Sequence, residues 1–572
     1  MRKSTKIGHW FSRLAGLSLA TAPALTCQTA TTAPGREGDV PAIRLSVVGT
    51  NDLHGHVEVL PTLGGYLNNL RTARAKDGAV LLLDGGDMFQ GTLASNLTEG
   101  QVVVQAYNKL GYTAVTVGNH EFDFGPAGTD TAPAEREDRR GALRARANEA
   151  NFPFLVANVF DDKTGKPLHG RNLFPTKLIR VKGISVGLVG VTTIDTPKAT
   201  LASTFLGLSM RPLAETIIEH AKALRAQGAK VVLVLAHAGG SCARFDQPTD
   251  LGSCKTAGAE AEIIAVARAL PQGLVDAIVA GHTHAGMAHT VANVPIIEAY
   301  SSGRAFGRVD LLIDSKSHRV VQHQLFAPQN LCRGHAAKFP AGCQPFDYEG
   351  SPVTPDPLVA QVAAEAERAV AKVSEQSLQA TAATVFHRDY DAESALGNLF
   401  VDLMRAARPA ADVALTNGGG IRKDLPAGPV KYGSLYEVVP FDNTFALAKV
   451  RADLLAKVFA HNLGTRGGFL SQSGLRINSR CVGNEIKVDL LRENGKPIAA
   501  DEELTIVTNN FLATGGDGAF KGMSFTIEDA PAIRDELARV LRERGDTLTP
   551  AQFFSSGRPR HIYPGERPVW CH

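Results

Sequence analysis

Beyond its first few dozen residues, this 572-residue sequence contains no stretch approaching the ~20 consecutive apolar residues that span a bilayer. It has no long basic run either, and its formal net charge is only +3. That argues against a nucleic-acid polymer as partner, because such domains carry a clustered basic face. A nucleotide-sized substrate remains compatible with this balance. None of the seven cysteines sits in a C-x-x-C pair, so a zinc–thiolate site is a poor reading. Internal repeats and extended low-complexity tracts are also missing, which excludes a repeat array.

What is present describes a soluble globular chain, 44% apolar and 20% charged. Its length exceeds what one hydrophobic core supports, so two domains of roughly 200 to 300 residues are expected. Arg2, Lys3 and Lys6 precede an apolar stretch through Leu14, Leu17 and Leu19, followed by Ala22-Pro23-Ala24. Charge, apolar core and A-x-A site in that order predict a signal peptide over residues 1–24, and hence a periplasmic, secreted or cell-surface protein. Cys27 is open to two readings, a lipid anchor point or loss with the leader. The other six cysteines fall into close or terminal pairs: Cys242 with Cys254, Cys332 with Cys343, and Cys481 with Cys571. Disulfides persist in oxidising compartments, and closing a loop the size of the first contributes ~3 kcal/mol on a chain-entropy argument.

A polar, turn-rich linker occupies residues 25–42. After it, short aliphatic runs repeatedly end in Gly-rich polar loops: Leu45–Gly49, Val80–Leu83, Ala114–Val117, Val231–Leu235 and Ala277–Val279. Such runs read as buried strands, with amphipathic helices between them, as over Pro212–Gln227. The expected architecture is α/β, a first layered domain over 43–330 with sheets flanked by helices. A Cys-containing linker and connector helix (331–375, the helix near Leu358–Val373) joins it to a second α/β domain over 376–566.

Five polar clusters follow those five strands: Asn51-Asp52-Leu53-His54, Gly85-Gly86-Asp87, Gly118-Asn119-His120-Glu121-Phe122-Asp123, Ala236-His237-Ala238-Gly239 and Gly281-His282-Thr283-His284. In extended chain, residues two apart share a side, so Asp52 and His54 can approach one ion. A single His or D-x-H after a strand is usually packing. Five in succession point to one metal site, and their oxygen and imidazole donors suit zinc, manganese or iron.

The set D-x-H, G-G-D, G-N-H-x-x-D, H and G-H-x-H resembles the signature of calcineurin-like metallophosphoesterases. The stretch from Asn119 to Asp123 and the second domain are similar to the 5′-nucleotidase and UDP-sugar hydrolase family. The resemblance spans about residues 44–564. It implies two divalent ions, one held by Asp52, His54 and His284 and the other by Asn119, His237 and His282, with Asp87 bridging. Two cations ~3.5–4 Å apart require such a shared anion. His120 and Asp123 resemble the catalytic pair, an imidazole facing the phosphoryl group and a carboxylate orienting it.

In the second domain, the resemblance makes Phe441 and Phe511 a clamp on the two faces of a nucleobase. Stacking of this kind contributes ~1–3 kcal/mol in single-strand binders. Asn417 would contact the base, Arg422 the phosphate through its planar fork, and Asp517 the ribose. One departure stands out. The family carries an arginine shortly before an E-x-x-x-G-N segment, here Glu393 to Asn398, but Tyr390 occupies that place and Arg388 lies nearby. The resemblance therefore implies a nucleoside 5′-monophosphate phosphohydrolase. Activity as a 2′,3′-cyclic-nucleotide phosphodiesterase/3′-nucleotidase or a UDP-sugar pyrophosphatase stays open, as does an inactive surface-binding protein, and the oligomeric state is undefined.

Overall fold

A computed structural model describes residues 42–128, 138–333 and 343–571. The expected signal peptide and Cys27 lie outside them.

The aliphatic runs form strands because both of their faces are buried. Five carry the site: β1 (Ala42–Thr50), β2 (Gly78–Asp84), β3 (Ala114–Thr116), β4 (Val231–His237) and β5 (Ala277–Ala280). β1, β2 and β3 are adjacent and parallel within a seven-stranded sheet, and β4 and β5 are parallel neighbours in a six-stranded one. Side chains alternate between the two faces of a strand, and the buried clusters follow that period. Leu45, Val47, Leu81 and Leu83 meet Leu233, Leu235 and Val279 in a core between the sheets. Val48 and Leu82 pack outward in a cluster with the helices Leu60–Arg74 and Gln101–Leu110. On the far side Val232, Val234 and Ile278 pack with helices Leu213–Ala226 and Glu262–Ala269. The result is helix, sheet, sheet, helix, with parallel strands ending at one rim. Loops at that rim carry the candidate site residues, the usual place for a site in open α/β sheets.

The connector helix runs Pro357–Ser374, its N-terminus capped by Asp356, whose carboxylate accepts from the N–H groups of Leu358 and Val359. Only Val359 and Ala363 of this helix are buried, within the first half's outer cluster. Beyond it a five-stranded sheet runs in the order Leu470–Ser473, Val413–Asn417, Glu503–Asn509, Thr444–Arg451, Thr526–Ala532. Helices Ala395–Ala407 and Ile533–Arg544 contribute to one buried cluster on this sheet, and helix Ala452–Gly464 to another. Residues 42–571 lie within one compact unit. All three expected disulfides form: Cys242–Cys254, Cys332–Cys343 and Cys481–Cys571.

Candidate active site

Three of the five site loops leave their strands by an abrupt turn. Asp52, His54, Asp87, His282 and His284 adopt φ values of 50°, 51°, 58°, 83° and 57°. Non-glycine residues rarely occupy this left-handed region, at a cost on the order of 1–3 kcal/mol each. Five in one cluster show that the surrounding fold imposes the geometry. Backbone bonds between loops do so: Asp52 N–H donates to Gly86 O at 2.9 Å, and His54 N–H to Asp87 O at 3.0 Å. Glu121 ties its own loop to that of Asp87 by accepting from the N–H groups of Asp87, Met88 and Gly118 at 2.9, 2.7 and 2.6 Å. Gly118 must be glycine, since a Cβ there would collide with Asp87 Oδ1.

The turns bring three groups together, with ligand atoms within 4.8 Å of one another: Asp52, His54, His284; Asp87, His237, His282; and His54, Asp87, His120. Asn119 joins the second through its Oδ1, 3.0 Å from His237 Nε2. The donor set can be tested for metal through its hydrogens. His54 Nδ1–H donates to Gln90 O and His237 Nδ1–H to Gly85 O, both at 2.8 Å. Carbonyls only accept, so in the neutral imidazole at either position the lone pair lies on Nε2. Those Nε2 atoms face other acceptor-capable atoms: His284 Nε2 at 2.9 Å for His54, and Asp87 Oδ2 at 3.1 Å and His282 Nδ1 at 3.2 Å for His237. Asp52 Oδ2 receives Asn51 Nδ2 and His282 N–H, whereas its buried Oδ1 faces His284 Nε2 at 3.2 Å and His54 Nε2 at 3.9 Å. Lone pairs converging in a buried space are the arrangement that cations satisfy. The residues therefore fit divalent metal ions.

Beside this cluster, His120 Nδ1 bonds Asp123 Oδ2 at 2.6 Å, and Thr200 Oγ1 donates to Asp123 Oδ1 at 2.8 Å. This leaves His120 Nε2 as the free ring nitrogen, 3.9 Å from Asp87 Oδ2. From the C-terminal half, Arg422 Nη2 lies 3.3 Å from His54 Nε2, and the Phe441 ring is 5.7 Å from that of His120. Asn417 Nδ2 donates to Asp517 Oδ2 at 2.7 Å; burial pushes the Asp517 carboxyl up to about 6 against that bond. Phe511 packs on Gly516, where any Cβ would strike its ring. His120, Asp123, Asn417, Arg422, Phe441, Phe511 and Asp517, with Tyr390 and Arg388, line one cavity of about 1900 Å³ between the two halves, together with His54, Asp87, Asn119, His282 and His284 of the cluster. Arg388 Nη1 donates to Ile421 O, next to Arg422, so an arginine reaches this wall although Tyr390 holds the expected position.

Sequence reasoning missed several supporting groups. Glu298, in the apolar strand Val294–Ala299, is buried with its Oε2 accepting from Gly240 N–H at 2.9 Å. Its Oε1 lies 2.5 Å from Thr283 Oγ1, which is also 2.8 Å from Gly240 O. The hydroxyl has one proton, so a neutral Glu298 donating to Thr283 completes the chain. Burial pushes this carboxyl well above its usual range, in agreement. A lone acid inside an apolar strand was the available signal. Thr200, Gln90 and Asn96 had none.

Known proteins resemble this chain in sequence and fold. Residues 45–286 match the family described as calcineurin-like phosphoesterase, and residues 369–524 match the 5′-nucleotidase C-terminal domain. The chain is 28% identical to cell wall protein Lmo0130 of Listeria monocytogenes, covering 89% of this chain and 67% of that one. It is 25% identical to a snake venom 5′-nucleotidase of Crotalus adamanteus, covering 83% and 82%. Among solved structures, a 5′-nucleotidase precursor from Thermus thermophilus superposes with a TM-score of 0.71 at 25% identity, covering 91% of this chain and 100% of that one.

Proposed function

The chain belongs to the 5′-nucleotidase and UDP-sugar hydrolase family of calcineurin-like phosphoesterases, a phosphoric ester hydrolase, and we propose that it works outside the cytoplasm, releasing phosphate from nucleoside 5′-monophosphates. The observation that carries this reading is convergence on one cavity: a metal-fitting cluster, an arginine and an aromatic wall from opposite halves of the chain.

Asp52, His54 and His284 would hold one divalent ion and Asn119, His237 and His282 another, with Asp87 between them; zinc, manganese or iron suits these donors. The chemistry such a pair supplies when bound is acidification of water and neutralisation of phosphoryl charge. The protein's own groups do the rest. Asp123, steadied by Thr200, fixes the His120 ring so that Nε2 can hydrogen-bond the phosphoryl or leaving oxygen. Arg422, with Arg388 beside it, presents guanidinium donors to the phosphate. Phe441 and Phe511 enclose the base, and the Asn417–Asp517 pair faces the sugar and base edge. Closing the halves over the substrate excludes bulk water, which strengthens each of these charge interactions.

The cavity exceeds the 300–1,000 Å³ usual for a small ligand, which supports a second reading, hydrolysis of a diphosphate-linked nucleotide such as a nucleotide sugar. Chromatography of the products formed from AMP, cyclic AMP and UDP-glucose separates these readings: adenosine and phosphate from AMP forming fastest is expected, and UMP with glucose 1-phosphate from UDP-glucose forming fastest would replace the first with the second. Three disulfides and relatives named as a cell wall protein and a venom enzyme support the location. Among the described residues no helix is long and apolar enough to cross a membrane.

A further inference from the structure

The loop carrying Phe441 is held from two sides. On its own side, Arg534 donates to the carbonyls of Val439 and Phe441 at 3.2 and 3.1 Å and to Asp442 Oδ1 at 2.6 Å. The intervening carbonyl, that of Pro440, has partners only from the other half of the chain among the described residues. Gln90 Nε2 and Asn96 Nδ2 both donate to it, each at 2.8 Å. These two donors are 3% and 7% exposed, so water offers them little alternative. Gln90 has a second contact, its backbone carbonyl accepting from His54 Nδ1 at 2.8 Å. A single residue thus touches both a candidate metal ligand and the peptide preceding the candidate base clamp.

A carbonyl oxygen has two lone pairs, and two converging amides occupy both. Their directions fix where the Phe441 peptide stands relative to the metal loops. Reactions are sensitive to such placement, since an error of about 1 Å can cost on the order of a hundredfold in rate. Resting on the reading that Phe441 faces the nucleobase, we propose that Gln90 and Asn96 are positioning residues that set the distance between metal cluster and base clamp, and thereby the preference for nucleotides over small phosphate esters. Arg534 keeps the loop folded without them, so their removal misaligns the two halves and leaves the loop itself intact.

Gln90 is the cleaner probe. Its side chain has this one hydrogen bond among the described residues, whereas Asn96 Oδ1 also accepts from Gly91 N–H at 2.9 Å. The experiment measures kcat/KM for AMP and for p-nitrophenyl phosphate, with bound metal, in Gln90→Leu and Gln90→Glu, each in wild-type and Phe441→Ala backgrounds. The AMP preference should fall about tenfold, the scale of one net hydrogen bond, chiefly through KM for AMP and with metal content intact. In the Phe441→Ala background neither substitution should lower it further, because coupled residues are non-additive. An unchanged preference, a full additional fall without Phe441, or loss of metal in both Gln90 variants would overturn the proposal. If Phe441→Ala itself lowers both substrates alike, the clamp reading fails and this proposal falls with it. If Phe441→Ala spares the small ester while the Gln90 variants change nothing, only the positioning role is lost.

Discussion

Replacing Glu298 by Gln should make the metal-free protein progressively more stable relative to wild type as pH rises. Glu298 is 1% exposed and its carboxyl is held well above the usual range by burial. A group whose folded pKa is raised contributes stability that is fully present below its unfolded value, near 4.5, and is lost as pH climbs toward the folded value. Between those limits the loss runs at ~1.4 kcal/mol per pH unit. Glutamine has no such dependence, and its amide still donates to Thr283 Oγ1 and accepts from Gly240 N–H. The two proteins should therefore differ little at pH 4.5 and diverge steadily as the pH rises above it. Glu298→Ala instead strands the buried Gly240 N–H, at a cost of ~1–3 kcal/mol, and should destabilise at every pH. Urea unfolding with chelator present, from pH 4.5 to 8, gives the differences directly. A constant Glu-to-Gln difference across that range would mean that Glu298 is ionised in the fold, and the hydrogen-bond chain through Thr283 would have to be redrawn.

Asp87→Ala should lower bound metal and turnover together, and a variant with full metal and normal rate would remove Asp87 from the bridge. His120→Ala should retain its metal yet lose roughly 10²–10⁴-fold in rate; metal loss, read by mass spectrometry, would make His120 a ligand instead. Phe441→Ala should reduce kcat/KM for AMP by about tenfold to a hundredfold, the equivalent of ~1–3 kcal/mol of stacking, with a much smaller effect on p-nitrophenyl phosphate. Equal losses on both substrates would return Phe441 to core packing. Crosslinking the two halves apart should slow AMP turnover without releasing metal, and unchanged turnover would show that the cavity between the halves is not where substrate reacts.

The strand-end clusters were legible because each lies within a few residues of an aliphatic run buried on both faces. Asp52 and His54 follow β1 directly, His237 ends β4, and His282 and His284 follow β5. The helix Pro357–Ser374 was readable from the spacing of its Ala, Glu and Val residues. Contacts made by the tertiary fold alone were not. Gln90 and Asn96 reach a carbonyl 350 and 344 residues away, and Thr200 meets Asp123 across 77. No local pattern marks such partners. Arg388 is intermediate: its type suggested phosphate binding, but only the fold puts it beside Arg422 despite Tyr390.

The most direct measurement is phosphate release from AMP while the chelator-treated protein is titrated with one divalent ion. The account predicts negligible release without metal, rising until two equivalents are bound per chain. Release that survives complete removal of metal, saturation at a single equivalent, or tight AMP binding without turnover at full occupancy would contradict a dinuclear nucleotidase.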